Sequence, residues 1–181
     1  MDPAQQWNSM VQQDPTEPGE FLAAVRRAGV VYGDRPLCVY RRPLFISHAL
    51  ARQYLRLLSG LHHAVRVARQ MIEEDGLDGR PDSLAVRLGV SEQALALARP
   101  DPGYRSAAVL ARFDSFVHNG CPQFVELNAE SPAGMGYADA LTDLFLNDRL
   151  LRNPRRVTSM RSAEAAVRAI RAVWKLSLIH I

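Results

Sequence analysis

The hydrophobic positions along this chain change period several times, and each change marks an element. From His48 to about Asp75, Leu50, Tyr54, Leu57, Leu58, Leu61, Val65, Ala68 and Ile72 recur by threes and fours. That spacing predicts one long α-helix with a single apolar stripe, Ser47 standing as its cap and Gly76 and Gly79 ending it. A shorter helix is predicted over Glu20 to Ala28, where Phe21, Leu22 and Val25 share a face and Gly29 stops the run. The following "VVYGDRPLCVYRRPLFIS" reads as two β-rich runs around Gly33-Asp34, with a further short apolar run after Pro43. Two short helical pieces surround Gly89 within residues 82–99, and another helix covers about Tyr137 to Asn147. A last helix is predicted from Ala163 to Lys175, with Val167, Ile170 and Trp174 on one side and Ser162 as cap. Residues 1–19 are polar, carry Pro3, Pro15 and Pro18, and read as an extended or loosely docked N-terminal arm.

Between Arg112 and Asn128 the period is two. Arg112 to Val117 alternates, Gln123 to Asn128 alternates, and Asn119-Gly120 between them is a hairpin signal. On such a strand pair Arg112 and Asp114 share a face, as do Glu126 and Asn128. Whether the two sets meet depends on the turn. A two-residue Asn-Gly turn pairs His118 with Cys121, sets Asp114 across from Val125 and sends Glu126 to the other face, so that a site built from both sets requires the alternative. A longer loop with a bulge pairs His118 with Pro122 and sets Asp114 across from Glu126. Pro122 lacks the N–H of a tight pair, which favours the longer loop. The whole pattern predicts an α+β fold: a small, mostly antiparallel sheet, including this hairpin, packed on the long helix and several shorter ones.

Composition changes this picture little. The 181 residues (20.1 kDa) are 48% hydrophobic and 23% charged, enough to bury a core. No apolar run reaches the roughly 20 residues that span a bilayer, and Met1-Asp2-Pro3 opens nothing like a signal peptide, so the expected compartment is the cytoplasm. Cys38 and Cys121 have no metal or redox spacing. The formal charge of +3 comes almost entirely from arginines scattered over helix faces (Arg52, Arg56, Arg66, Arg69) and a late segment (Arg149, Arg152, Arg155, Arg156, Arg161). Such scatter is a solvated surface, and no nucleic-acid partner is read from it. His62 and His63 are adjacent on a helix, about 100° apart, and do not make a metal pair.

The candidate chemistry lies in the hairpin. In the longer-loop register Asp114, Glu126 and the amide oxygen of Asn128 form an all-oxygen cluster. Hard oxygen ligands suit Mg²⁺ or Mn²⁺ rather than zinc, and magnesium takes one or two carboxylates and fills its shell with water and substrate phosphates. Arg112, on the same face as Asp114, would reach a phosphate oxygen. A solvated acidic hairpin answers the same alternation.

"RFD", followed twelve residues after its Asp by "ELNAESPAGMG", resembles the circularly permuted ATP-grasp proteins. These include the glutathionylspermidine synthetase-like ligases and the type 2 set. The resemblance implies that Asp114, Glu126 and Asn128 hold magnesium ions bridging ATP phosphates and that Arg112 contacts a phosphate or the substrate. Glu130, Ser131 and Gly134 fall in the loop near the acceptor substrate. It further implies a partial ATP-grasp-type fold and an ATP-dependent carboxylate–amine ligase, in which an acyl phosphate is attacked by an amine. Upstream, "AGVVYGDRPLCVYRRPLFIS" and Arg99-Pro100-Asp101-Pro102-Gly103-Tyr104 also look like the type 2 set, so the likeness covers residues 20–150. Residues 151–175 are then a helical segment. The family's phosphate-reaching lysines have no counterpart, since the only lysine is Lys175. "KLSLIHI" breaks the helix pattern and looks like translated sequencing adapter, so residues 176–181 are expected to be a non-native tail. The chain is expected to be an amino-terminal fragment without activity alone.

A second outline runs through "SLAVRLGVSEQALALA", residues 83–98, which matches a helix-turn-helix DNA-binding module. Its would-be recognition helix, Ser91 to Leu97, carries one acid, one Gln and no positive residue before Arg99. A structural helical pair accounts for it without phosphate contacts. Ser131 is followed by proline and has no nucleophile elbow, which leaves a serine hydrolase without support.

Overall fold

The computed structural model describes residues 2–75, 83–98, 100, 108–129, 131–151 and 157–176. In chain order these form α1 (Pro3–Gln13), α2 (Pro18–Arg27), β1 (Val31–Tyr32), β2 (Arg35–Pro36), α3 (His48–Asp75), α4 (Leu84–Arg87) and α5 (Glu92–Ala98). β3 (Arg112–His118), β4 (Cys121–Asn128), α6 (Met135–Leu146) and α7 (Ser162–Leu176) follow. The α+β expectation holds, with two separate two-stranded antiparallel sheets among the described residues rather than one. Two compact units interleave along the chain: Met1–Ser47 with Pro132–Val167, and His48–Ser131 with Arg168–Ile181.

In the first unit residues 3–13, expected as an extended arm, are a helix. Asp2 is its N-cap, accepting from the Ala4 N–H at 3.3 Å, and Pro3 stands at N1, where the missing N–H breaks no helical bond. The helix is held by Trp7, 1% exposed, which packs on Phe45 and Phe145 and donates from Nε1 to the Arg41 carbonyl at 2.8 Å.

α2 ends as its glycine demands. Gly29 takes φ 71°, its N–H donates to the Arg26 carbonyl, and the Val30 N–H reaches back to the Val25 carbonyl. This pair of bonds satisfies carbonyls that a helix end leaves open and brings Val30 onto Val25. Both valines are fully buried with Phe21, and Leu141, Leu144 and Phe145 of α6 pack against them. Gly33-Asp34 joins β1 to β2 as a two-residue turn. The apolar run after Pro43 forms no strand.

An ion-pair knot ties three distant segments of this unit. Arg41 grips Asp148 with two bonds of 2.8 Å and reaches Asp14 at 3.2 Å, while Arg149 also binds Asp14 and Thr16. The Asp14 side chain is only 2% exposed. The Arg149 guanidinium first, then the Thr16 hydroxyl and N–H and the charge of Arg41, hold its carboxyl well below the usual carboxylate range against the effect of burial. Because the folded-state value lies below that of the unfolded chain, about 3.9, the stability gained is present at neutral pH. It is lost as pH falls through about 4 toward the folded value. Asp14→Asn is therefore expected to lower the urea midpoint at pH 7 and to flatten its decline between about pH 5 and pH 2. Midpoints measured at steps across that range decide it; parallel curves for parent and variant would remove the ion pair from the account.

α7 is capped differently from the expectation that Ser162 does so. The N–H groups of Ser162 and Ala163 donate to the Asp139 carboxylate at 2.8 and 3.0 Å. A carboxylate on α6 therefore meets the positive end of α7.

The second unit is organised by α3, whose bounds match the sequence pattern. Leu50, Tyr54, Leu58, Leu61, Val65 and Ile72 of the stripe are half-buried, while Leu57 and Ala68 are exposed. His62 and His63 are both exposed. α4 and α5 form the helical pair expected around Gly89 (φ 69°), whose turn repeats the closure of α2: Val90 N–H to the Ala85 carbonyl and Gly89 N–H to the Val86 carbonyl. Ser83 caps α4 from a buried position, and Ala85 and Leu95 are buried. α4 packs on α3, and Arg69 of α3 donates to the Ala98 carbonyl.

Candidate metal centre

The β3–β4 hairpin turns at Asn119 (φ 49°) and Gly120 (φ 75°), both left-handed, which is the geometry a two-residue turn needs to match strand twist. His118 pairs with Cys121. The longer loop favoured from Pro122 is therefore not formed. The reason is the alternation of antiparallel pairs: if His118–Cys121 is the hydrogen-bonded pair that closes the turn, Val117–Pro122 is a non-bonded pair, where a proline removes nothing from the ladder. The extra residue is inserted further along. The register runs Ser115↔Phe124 and then Asp114↔Glu126, leaving Val125 as a bulge. Asp114 thus stands across from Glu126 and Arg112 across from Asn128, through the tight turn rather than the long one.

The two faces of the hairpin differ in chemistry. Phe113, Ser115 and Phe124 make the inner face: Phe124 meets Tyr54 of α3 edge-on at 5.9 Å and Phe113 at 6.0 Å. The Tyr54 hydroxyl and Ser115 Oγ are hydrogen-bonded at 3.0 Å. With that face fixed on the long helix, alternation sends Arg112, Asp114, Glu126 and Asn128 to the other.

On that outer face Arg112 binds Asp114 with two bonds, Nε to Oδ1 at 2.7 Å and Nη2 to Oδ2 at 3.1 Å. The Asp114 carboxylate, through those bonds and its charge, holds the guanidinium above its usual range; burial opposes this and Glu126 adds a smaller attraction. Both partners are more than a third exposed (43% and 37%), so solvent screening leaves the pair little net stability to contribute. It is a pair that a competing charge can open.

Among the described residues no three His, Cys, Asp or Glu side chains gather into a metal cluster. The candidate set there is two carboxylates and one amide; Glu130 lies outside the described residues, as do Arg99 and residues 101–104 of the upstream resemblance and the tail from 177. Asn128 Nδ2 is buried with no hydrogen-bond partner. A half-turn of that amide exchanges nitrogen for oxygen and sets an acceptor in the same place, one that a cation would satisfy. In donor chemistry Asp114, Glu126 and Asn128 offer the oxygen atoms that a hard divalent ion takes, and would be the residues to hold one.

Ser131 is exposed with a left-handed backbone (φ 49°), and Gly134 (φ 103°) is the N-cap of α6, in the other unit. α5, the would-be recognition helix, spans seven residues with Glu92 and no cation. Sequence reasoning missed the Asn128 orphan amide, which no motif announces. Compared with protein-family models, with curated proteins and with solved structures, the chain gives no match.

Proposed function

We propose that this chain supplies the magnesium-binding hairpin of an ATP-dependent carboxylate–amine ligase of the circularly permuted ATP-grasp type. The observation that carries the reading is the Val125 bulge, which brings Asp114 opposite Glu126 on the face that also holds Asn128 and Arg112. The motif "RFD…ELNAESPAGMG" supports it. In this role Asp114, Glu126 and Asn128 hold Mg²⁺ or Mn²⁺ against ATP phosphates. Arg112, released from Asp114, offers its two-pronged donor to a phosphate or acyl-phosphate oxygen. In the same reading Glu130, Ser131 and Gly134 stand in the loop near the acceptor substrate, while the phosphate-reaching lysines of such a ligase have no counterpart here, Lys175 being this chain's only lysine.

Manganese titration followed by electron paramagnetic resonance tests the metal half directly. One ion per chain is expected, with affinity falling at least about tenfold in Asp114→Asn and less in Asn128→Ala, as a lost charge outweighs a lost dipole. Equal weak binding by parent and Asp114→Asn would end the reading.

A further inference from the structure

We propose that a cavity of about 410 Å³ in the unit of Met1–Ser47 and Pro132–Val167 binds a small amphipathic monocarboxylate, its alkyl or aryl body inside and its carboxylate at Arg42. The volume lies within the roughly 300–1,000 Å³ of small-molecule sites. The inference does not rest on the hairpin, none of whose residues line the cavity.

Trp7, Phe45 and Phe145 form one wall, with ring centroids 5.9 and 6.1 Å apart, and Leu141 of α6 adds to it. Three polar side-chain atoms of the lining are already used. Trp7 Nε1 donates to the Arg41 carbonyl, Thr142 Oγ1 to the Ala138 carbonyl and Cys38 Sγ to the Tyr40 carbonyl. These three side chains therefore offer an occupant little beyond apolar contact, which together with the aromatic and aliphatic lining suits an apolar body. At the rim, Leu44 (89% exposed) and Met160 (69%) also line the space, an exposure that a bound apolar body would reduce.

The charge of the occupant follows from the cations. Arg41, Arg149 and Arg161 of this unit are each tied to carboxylates: Asp148 and Asp14, Asp14 again, and Asp143. Arg42 lines the cavity and, among the described residues, has no ion-pair partner. Thr158 and Ser159 stand in the same lining as hydroxyl donors, and no Asp or Glu among the described residues lines it. One guanidinium beside an apolar space matches one carboxylate on an apolar body.

The chain has two tryptophans, Trp7 and the exposed Trp174, so a Trp174→Phe background makes Trp7 fluorescence a reporter of the cavity. Decanoate, decanol and decyltrimethylammonium are titrated below their micelle concentrations. Decanoate is expected to saturate the signal and decyltrimethylammonium to leave it unchanged. Arg42→Gln, at an exposed rim position, should weaken decanoate at least about tenfold and leave decanol within about twofold. Ala138→Phe, with circular dichroism confirming the helices, should abolish both. No saturation by decanoate, equal binding of the cation, or an Arg42→Gln chain that binds decanoate as the parent does would overturn the proposal.

Discussion

Glu126→Gln is expected to reduce magnesium-dependent turnover by about 10²- to 10³-fold in a ligase carrying this chain, with the fold unchanged. The size follows from what a metal ion contributes: several kcal/mol of charge stabilisation at the transferring phosphoryl group, where about 1.4 kcal/mol is a factor of ten. The site's anionic charge rests on Asp114 and Glu126, and Arg112 already draws on the first. Removing the second leaves the ion a neutralised carboxylate and two amides. The fold has little reason to respond, because Glu126 is exposed on the outer face and its backbone pairing with Asp114 does not depend on its charge. Glutamine keeps the side chain's shape. A change in urea stability above about 0.5 kcal/mol would exceed what exposed positions normally give. Turnover within twofold of the parent, at matched stability, would sink the metal role.

The bulge shows where sequence patterning stops being decisive. The alternation from Arg112 to Asn128 and the Asn-Gly turn were both legible, and so was the requirement that Asp114 face Glu126. Where the odd residue goes was not. The Pro122 argument assigned it to the loop, but a proline costs a bond only at every second position of an antiparallel ladder, and Pro122 is at the other kind. A bulge is settled by packing: Phe124 and Ser115 are fixed on Tyr54, so the ladder must slip beyond them for the charged set to stay outside. The α7 cap failed for a related reason. Ser162 is a good local candidate, but Asp139, 23 residues earlier, takes the helix N–H groups, and local sequence does not contain that contact.

The short-range signals did better at two glycines; Gly76 and Gly79, expected to end the long helix, lie outside the described residues. Gly29 was read as a stop and Gly89 as the joint of two helical pieces, and each sits at positive φ with a six-residue backbone closure behind it. By contrast, the opening segment was misread because its prolines were counted as breakers. Asp2-Pro3 is a start signal when read in order, cap then N1, and Ala4, Trp7 and Val11 repeat at helical spacing behind it.

That misreading has an energetic consequence, because the segment taken for a loose arm carries the largest fully buried side chain of its unit. Trp7→Ala is expected to destabilise this unit by about 3–5 kcal/mol, the range for removing a large aromatic from a packed site. Phe45 and Phe145 are left facing a void, and the Arg41 carbonyl loses the Nε1 donor it holds at 2.8 Å. Trp7→Phe separates the two effects. It keeps most of the apolar volume and should cost about 1–3 kcal/mol, chiefly through the unpaired carbonyl. Against the roughly 5–15 kcal/mol that holds a domain folded, the alanine change takes a large share. Urea unfolding followed at 222 nm reads both variants. If Trp7→Ala costs under about 1 kcal/mol, α1 is an appendage and the Phe21–Val25–Val30 cluster stands alone. If the cost is as expected, the first helix belongs to the core, and a chain cut after Gln13 should not keep this unit folded.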